Sequence, residues 1–176
     1  MPETAELVKF IRGLRAVREY TPEPIDEAVL RDIVEVGRWS GSASNKQPTE
    51  LIVVRDRAVL TQIGDSGVRP AGAAAVALVV ITPGDPETSD LELFDAGRLV
   101  ERLLLAARAH GLGSNIGTLK GDGIEAVKKT LGVPPQRRTW TVVTIGHTDV
   151  AARKARPANP TAGRKADSDF VHWDRY

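Results

Sequence analysis

The sequence predicts a single domain that combines helices and strands, of the α/β or α+β class. Its 176 residues fit one domain with a sizeable hydrophobic core and are too few for two full-sized domains. Hydrophobic residues make up 41% and charged residues 27%, as in ordinary globular proteins. Segments with helical periodicity alternate with three or four apolar segments of strand length. No repeat or low-complexity tract interrupts them, so residues 1–176 are treated as one domain.

The N-terminal part contains two predicted helices and a polar loop. An apolar stripe at near-helical spacing predicts an opening helix over residues 3–13. An extended segment with two prolines follows it. Asp26 can cap a second helix, which runs to about Trp39 and has its apolar residues mostly on one face. Ser40–Pro48 is small and polar without apolar periodicity, which predicts a loop.

The middle of the chain alternates strands and helices. Leu51–Val54 is predicted as a strand and Ala58–Gly64 as a helix. Ala71–Thr82 is rich in alanine and valine without alternation, which predicts a strand covered on both faces. After the polar region Pro83–Asp90, apolar residues at helical spacing predict a strong helix over Asp95–His110.

The C-terminal part is more varied in composition. Gly111–Gly123 is predicted as a glycine-rich loop, residues 124–132 as a short helix and Thr139–Gly146 as a β-branched strand. Residues 151–176 are basic, with few apolar residues until the end. Late apolar side chains in a polar segment are easiest to explain if they pack on a partner, so we expect a C-terminal arm that contacts a second subunit. These side chains are Phe170, Val171 and Trp173.

Composition excludes several classes of protein. The 24 Lys and Arg against 23 Asp and Glu leave a formal charge of +1, without the excess of base typical of a nucleic-acid binder. The absence of cysteine excludes disulfides, thiolate metal sites and a cysteine nucleophile. The longest apolar run, Ala73–Ile81, is too short to cross a bilayer. The first residues lack a signal-peptide pattern, so we expect a cytoplasmic protein without a membrane or nucleic-acid partner.

Familiar catalytic and nucleotide motifs are absent. The three histidines lack the spacing of a zinc site, so no metal is expected, and no GxSxG elbow is present. Gly111, Gly113 and Gly117 form a GxGxxxG pattern, but it follows a predicted helix. The Rossmann fingerprint must follow a strand, and a P-loop needs a terminal Gly-Lys-Ser/Thr, so we reject both.

Three clusters could nevertheless bind a ligand. The loop Ser40–Pro48 offers amides and hydroxyls for the edge of a polar heterocycle, although a solvated loop with capping serines is the simpler interpretation. The glycine run permits close approach to a flat or phosphorylated ligand. Guanidinium groups suit phosphate, although arginines near helix ends more often form a solvated face. The basic residues in question are Arg15, Arg18, Arg164 and Lys165.

The order of these clusters resembles the nitroreductase-like family of FMN-dependent oxidoreductases. LRAVREYTPEPI is similar to the family's opening Arg-Arg-Ser-Ile-Arg segment with its following aromatic residue and Pro-Val/Ile. GRWSGSASNKQPTE is similar to its ARWAPSAxNxQPW-type loop. GLGSNIG and GRKADSDFVHW are similar to its last two characteristic segments. The resemblance extends from about residue 9 to 173.

The resemblance implies cofactor contacts in four segments. Arg15, Ala16 and Arg18 match the segment that holds the FMN phosphate and ribityl chain. Arg18 would also lie near the N1–C2 carbonyl edge of the ring, where a cation stabilises the anionic reduced flavin. Arg164, together with Lys165, matches the basic residue of the tail that reaches the phosphate.

The other two segments would lie against the flavin ring. The polar loop that contacts the isoalloxazine or its neighbour is matched by Ser42, Asn45 and Gln47. The backbone stretch that runs beside the ring is matched by Ile116, Gly117 and Thr118.

The chain departs from the family pattern at four positions. Leu14 replaces the first arginine of the opening segment, and Ala16 replaces the serine. Gly41 stands where proline is usual, and Thr49 where an aromatic residue is usual. Two phosphate donors are therefore missing, and lower FMN affinity or a different flavin is expected. The remaining phosphate donors would be Arg15, Arg18 and Arg164.

The resemblance also implies a fold and an activity. The fold would be α+β, a central mixed sheet flanked by helices, in an intertwined homodimer with FMN sites at the interface. The activity would be that of an FMN-dependent NAD(P)H oxidoreductase. NADH or NADPH would deliver hydride to flavin N5, and an electron-poor small molecule such as a nitroaromatic or quinone would take the electrons in a ping-pong cycle.

Several alternatives remain open at this point. No side chain stands out as a catalytic acid, so the catalytic residues are unknown and water could donate the proton. A specialised flavin reductase or dehalogenase-type relative would share the scaffold. A flavin-sequestering protein with little turnover, or a structural dimer without cofactor, would also be compatible with the changes at Leu14 and Ala16.

Overall fold

A computed structural model describes residues 3–157 and 163–176 of the chain. The helices are α1 (Thr4–Arg12), α2 (Glu27–Arg38), α3 (Arg57–Asp65), α4 (Ser89–Ala109), α5 (Asp122–Leu131) and α6 (Val150–Ala155). The strands are β1 (Glu50–Val54), β2 (Val76–Ile81), β3 (Gly113–Thr118) and β4 (Thr141–Gly146). Short 3₁₀ helices cover Ala43–Asn45, Arg69–Gly72 and Asp167–Asp169. Residues 158–162 of the predicted arm lie outside the described residues.

The four strands form one sheet in the order β1-β2-β4-β3. Ile52 lies opposite Val79, Leu78 opposite Val143, and Ile116 opposite Val143 on its other side. The predicted α+β class is confirmed. The implied mixed sheet is corrected, because all three pairings in the described residues are antiparallel. Each connection brings the chain back so that neighbouring strands run in opposite directions.

Helices cover both faces of the sheet. Alternate residues of β2 (Val76, Leu78 and Val80) pack with α2 and α4, and the intervening ones pack with α3 and α5. All six residues of β2 are buried. The prediction of a strand covered on both faces is therefore confirmed, and the continuous apolar run reflects burial on both sides.

The glycine-rich segment differs most from its prediction. Gly113–Thr118 is the edge strand β3, not a loop. Its Gly, Ser and Asn residues have low intrinsic strand preference, and pairing with β4 along its whole length supplies the missing stabilisation. A Cβ at Gly113 would lie 2.6 Å from Cγ1 of Val17. Gly113 therefore allows the segment that contains Val17 to pack closely against β3. The glycine does not form a turn here.

Two other boundaries differ from their predictions. Residues 71–75 were predicted as part of β2, but Ala71 and Gly72 belong to a 3₁₀ helix and the strand begins at Val76. Helix α4 begins at Ser89, six residues before the predicted start. Glu92 in its first turn is 3% exposed and accepts hydrogen bonds from the N–H groups of Gly84 and Asp85.

Glu92 also fixes the turn that precedes α4. Thr88 Oγ1 donates to its carboxylate at 3.1 Å. Burial alone would raise the pKa of Glu92, but the hydrogen bonds from Gly84, Thr88 and Asp85 outweigh it, and the pKa lies below its usual value. None of the described helices combines the length and apolarity needed to cross a membrane.

Candidate functional site

The opening basic segment lies against the free side of β3. Val17 N–H donates to Ser114 O at 2.8 Å, and Thr21 N–H donates to His147 O at 2.9 Å. These bonds fix the extended segment between α1 and α2 alongside the edge of the sheet. The prolines that follow it keep it out of a helix. Arg15 and Arg18 are thereby brought next to the glycine-rich strand, about one hundred residues later in the chain.

The buried side chain of Tyr20 holds the opening basic segment against the sheet. Its side chain is 7% exposed, and its hydroxyl donates to Val17 O at 2.7 Å. Thr144 Oγ1, on β4, lies 2.9 Å from the same hydroxyl. Burial raises the pKa of Tyr20 well above its usual value, which keeps the hydroxyl protonated as a donor. The basic segment is therefore tied to the sheet by a buried hydrogen bond.

Two adjoining cavities lie over this edge, and we call them together the β3 groove. The inner cavity has a volume of about 290 Å³ and the outer one about 490 Å³, within the range of small-molecule sites. Both are lined by Arg18, Asn115 and Ile116. The inner cavity adds Leu14, Arg15, Ala16, Leu104 and Ser114. The outer cavity adds Gly67, Val68, Arg69, Pro70, Ala73, Gly117 and Arg156.

Five residues that the sequence singled out line the β3 groove: Arg15, Ala16, Arg18, Ile116 and Gly117. The Arg15 guanidinium donates to Arg12 O at 2.8 Å and Leu14 O at 2.7 Å. Leu14, which stands where the family pattern has its first arginine, packs partly against the core. This position therefore contributes to packing and not to anion binding. Thr118 is exposed at the end of β3 and does not line either cavity.

Sequence reasoning missed several residues of the groove, and three of them, Asn115, Arg69 and Arg156, have side chains that can bind a polar ligand. Asn115 is 4% exposed, and its Nδ2 donates to Ile116 O at 2.9 Å. A polar amide in the middle of a strand was its only sequence signal. Arg69 begins the 3₁₀ helix that follows α3, and Arg156 is the C-cap residue of α6. Neither arginine has a local pattern that distinguishes it from a surface residue.

The polar loop is held in a strained shape. Ser44, Asn45 and Gln47 have φ values of 51°, 53° and 51°, in the left-handed region that costs non-glycine residues about 1 kcal/mol or more each. Gln47 N–H donates to Ser42 Oγ at 2.8 Å. Ala43 N–H donates to Asp95 Oδ2 at 2.9 Å, and Asp95 is 6% exposed. A buried carboxylate on α4 thus holds the loop in place.

The structure does not bring all four predicted segments together. Ser42 and Gln47 line a separate cavity of about 130 Å³ beside α4, which shares no lining residue with the β3 groove. Asn45 is exposed next to it. Arg164 and Lys165 are exposed, and the Arg164 guanidinium donates to its neighbour Gly163 O at 2.8 Å. Of these four segments, the opening segment and β3 share a site in the described part of the chain.

The chemistry of the β3 groove suits a flat ligand with an anionic group. Guanidinium groups offer paired donors for phosphate or carboxylate. Ile116 and Pro70 supply apolar surface, and Asn115 supplies an amide. Across the described ranges 3–157 and 163–176, no group of three His, Asp or Glu side chains could hold a metal ion.

The sequence matches the family model described as Nitroreductase family over residues 11–68 and 66–147. The chain belongs to the nitroreductase family. That membership places it among the oxidoreductases. The matched residues include the opening basic segment, the polar loop and β3.

Individual relatives agree with this assignment. A protein of Archaeoglobus fulgidus, provisionally named an NADH dehydrogenase/NAD(P)H nitroreductase, is 28% identical over 148 residues, 81% of this chain and 85% of the relative. A 4-nitrobenzoate reductase of Nocardioides sp. is 24% identical over 233 residues, 99% of this chain and 93% of the relative. An FMN-dependent nitroreductase of Clostridium difficile superposes with a TM-score of 0.78 at 22% identity, covering 96% of this chain and 99% of that one. The last comparison supports the fold.

Proposed function

We propose that this chain is an FMN-dependent NAD(P)H oxidoreductase of nitroreductase type. The observation that carries the proposal is the shared groove. Arg15 and Arg18 line it together with Ile116 and Gly117, although about one hundred residues of sequence separate the two pairs. Family membership and the names of the relatives support the same activity.

The residues of the β3 groove fit FMN by their chemistry. The cofactor has a flat ring and a phosphate, and the groove has apolar surface from Ile116 and a guanidinium from Arg15 at its inner end. Gly117 lines the outer cavity beside Ile116. When bound, FMN would accept hydride from NADH or NADPH and pass electrons to an acceptor. Arg164 and Lys165 would reach the phosphate only if the tail moves in from its described position or comes from a partner.

The residues of the groove would bind the cofactor and orient its ring. Arg18 lines both cavities and would place a positive charge beside the bound ring. This charge would stabilise the negative charge that the ring gains on reduction. Asn115 is positioned by its bond to Ile116 O and offers its remaining amide atoms to a ligand. Ala16 provides no hydrogen bond where the family pattern has a serine. The expected affinity for FMN is correspondingly lower.

A nitroaromatic or quinone would be the acceptor. In the first step with a nitro group, one NAD(P)H and one proton convert the nitro group to a nitroso group, with release of NAD(P)⁺ and water. Among the residues that the structure describes, no side chain lining the groove is suited to act as an acid, since the titratable ones are arginines. Solvent would supply the proton.

A homodimer would complete the site. Large apolar side chains are exposed on α1, at the end of α2, at the start of α4 and in the tail; examples are Ile11, Trp39, Phe94 and Trp173. Such clusters favour burial against a partner. The loop with Ser42 and Gln47 lies outside the groove of its own protomer, and a second protomer could bring its loop to it. Light scattering that gives a monomeric mass at micromolar concentration would contradict this arrangement.

The experiment titrates the purified protein with FMN and follows quenching of flavin fluorescence, and then adds NADH or NADPH without oxygen. We expect stoichiometric binding and bleaching of the flavin absorbance. Arg18→Ala should weaken FMN binding about tenfold, the effect of losing one charged hydrogen bond. Arg31→Ala, which removes an exposed arginine on α2, serves as the matched control and should leave binding unchanged.

The outcomes separate the alternatives. Protein that takes up no FMN contradicts the proposal. Uptake without bleaching by either nucleotide favours the second candidate, a flavin-sequestering protein, which the loss of donors at Leu14 and Ala16 supports. Unchanged FMN binding and reduction in Arg18→Ala would show that Arg18 does not contact the cofactor.

A further inference from the structure

A cavity beside α5 lies apart from the β3 groove, and we call it the α5 pocket. Its volume is about 460 Å³, within the range of small-molecule sites. Its walls are α5, the beginning of α4, the turn after β2 and residues 135–140, which lead into β4. It shares no lining residue with the β3 groove or with the cavity beside α4. A ligand confined to the α5 pocket would therefore leave the proposed cofactor site free.

Backbone hydrogen bonds fix the segment that leads into β4. Thr82 N–H donates to Arg138 O at 2.9 Å, and Arg138 N–H donates to Thr82 O at 3.0 Å. This pairing joins the segment to the residue that follows β2. Leu119 N–H donates to Trp140 O at 2.8 Å and holds the end of the segment beside β3. The wall of the α5 pocket is thus formed before a ligand binds, which lowers the entropy cost of binding.

The α5 pocket has an excess of positive charge. Among the described residues, three cationic side chains line it against one carboxylate: Lys128, Arg137 and Arg138 against Glu125. In that part of the chain, Arg138 forms no ion pair with a carboxylate. Arg137 Nη2 lies 2.8 Å from Glu50 Oε1, and 61% of the Glu50 side chain is exposed. Exposed ion pairs contribute little stability, so a bound anion can replace Glu50.

Two buried polar groups of the α5 pocket retain hydrogen-bonding capacity. Lys128 is 7% exposed, and its ammonium donates to Pro135 O at 2.8 Å and to Glu125 Oε1 at 3.2 Å. An ammonium has three N–H donors, so one remains for a ligand. Thr139 is 1% exposed, and its Oγ1 has no hydrogen-bond partner among the described residues. A buried hydroxyl without a partner is unfavourable, and an acceptor on a ligand would remove that cost.

Apolar surface lies beside these polar groups. Trp140 is 42% exposed and lines the pocket together with Leu93, Ile124 and Pro135. Its indole offers a flat face on which an aromatic ring can stack. A phosphate monoester carries a charge of about −1.5 to −2 at pH 7 and three strong acceptor oxygens. Such a group suits several cations and a hydroxyl donor better than a carboxylate, which has one charge and two oxygens.

We propose that the α5 pocket binds an aromatic phosphate monoester. The three cationic side chains hold the phosphate, and Thr139 Oγ1 donates to one of its oxygens. The aromatic ring packs against the indole of Trp140. This inference goes beyond the proposed function and does not depend on it, because no residue of the β3 groove takes part.

The test titrates the full chain with phenyl phosphate by calorimetry, after addition of FMN to occupy the β3 groove. Phenol and inorganic phosphate are the matched probes, since each carries one half of the ligand. We expect phenyl phosphate to bind at least about tenfold more tightly than either probe, because it alone contacts both the cations and the indole. Added salt should weaken the binding of phenyl phosphate and leave that of phenol unchanged.

Substitutions test the two halves of the α5 pocket separately. Arg138→Gln should weaken binding of phenyl phosphate about tenfold, the effect of losing one charged hydrogen bond, and leave binding of phenol unchanged. Trp140→Leu should weaken binding about three- to tenfold, and Trp140→Phe, which keeps an aromatic ring, should lose less. Neither position is buried, so the variants should fold normally, and urea denaturation checks this. Arg31→Gln, at an exposed arginine of α2, is the control for the loss of one charge.

Each outcome decides the proposal. Phenyl phosphate that binds no more tightly than inorganic phosphate overturns it. Full affinity in Arg138→Gln or in Trp140→Leu overturns it as well, and a loss of affinity in Arg69→Gln instead would place the ligand in the β3 groove. Selective loss in the two pocket variants supports the site whether or not NAD(P)H reduces the flavin, so a failure of the proposed function remains distinguishable.

Discussion

Replacement of Gly117 by alanine tests how β3 is held at the groove. Gly117 packs against Val68, which is 1% exposed. An added Cβ would lie 3.0 Å from Cγ2 and 3.1 Å from Cβ of Val68, and it would overlap Cγ1. Favourable carbon–carbon contacts lie at about 3.5–4.0 Å. Because Val68 is enclosed, β3 must shift away from it or Val68 must leave its rotamer.

We expect this overpacking to lower the free energy of unfolding by about 1–3 kcal/mol. With a urea m-value of about 2 kcal/mol/M, the denaturation midpoint falls by about 0.5–1.5 M. Displacement of the Ile116–Gly117 backbone should also weaken FMN binding, measured by fluorescence quenching. The two effects share one cause, so they should appear together.

The matched control is Gly97→Ala on α4, where an added Cβ has no neighbour within 4 Å. That variant should gain about 0.5–1 kcal/mol, since alanine suits a helix better than glycine. Val68→Ala makes room, so Gly117→Ala combined with Val68→Ala should be less destabilised than the sum of the two changes, by about 0.5–3 kcal/mol. A Gly117→Ala protein as stable as the original, or strict additivity in the double variant, would refute the close contact.

Three further predictions concern the framework of the site. Tyr20→Phe leaves Val17 O without its donor and should cost about 1–2 kcal/mol in urea denaturation. Asp95→Ala frees Ala43 N–H, so hydrogen exchange at residues 42–47 should accelerate while exchange in β2 is unchanged. Glu92→Gln removes a carboxylate of lowered pKa, which stabilises the fold above the unfolded pKa of about 4.3 and loses this effect as the pH falls. The stability difference from the original protein should therefore shrink between pH 7 and pH 3.

Most elements follow from local patterns. The apolar stripe of α2 and the capping carboxylate of Asp26, whose side chain accepts from Ala28 N–H, are both readable in the sequence. The same holds for β2, whose unbroken apolar run reflects helices on both faces. These features depend on neighbouring residues alone, so one sequence suffices to predict them.

The site was predicted only in part. The resemblance of the opening segment and of GLGSNIG to the nitroreductase pattern assigned Arg18 and Ile116 to a cofactor site, and the structure brings these two residues to one groove. It also assigned Ser42 and Arg164 to the cofactor, and within one protomer neither lines the β3 groove. A motif singles out residues along the chain, but it does not specify which of them meet in the folded structure.

The sequence by itself determined the class of fold, the helices α1 to α5, the covered strand and the basic segment of a nitroreductase-family chain; it did not predict α6. Only the tertiary structure decided that the glycine-rich segment is the strand β3, because pairing with β4 and contact with Val68 override its weak local preference. It also decided that Arg69 and Arg156 lie beside Arg18. In the sequence each arginine resembles a solvated surface residue. Only the folded chain places it next to groove residues that are distant in sequence.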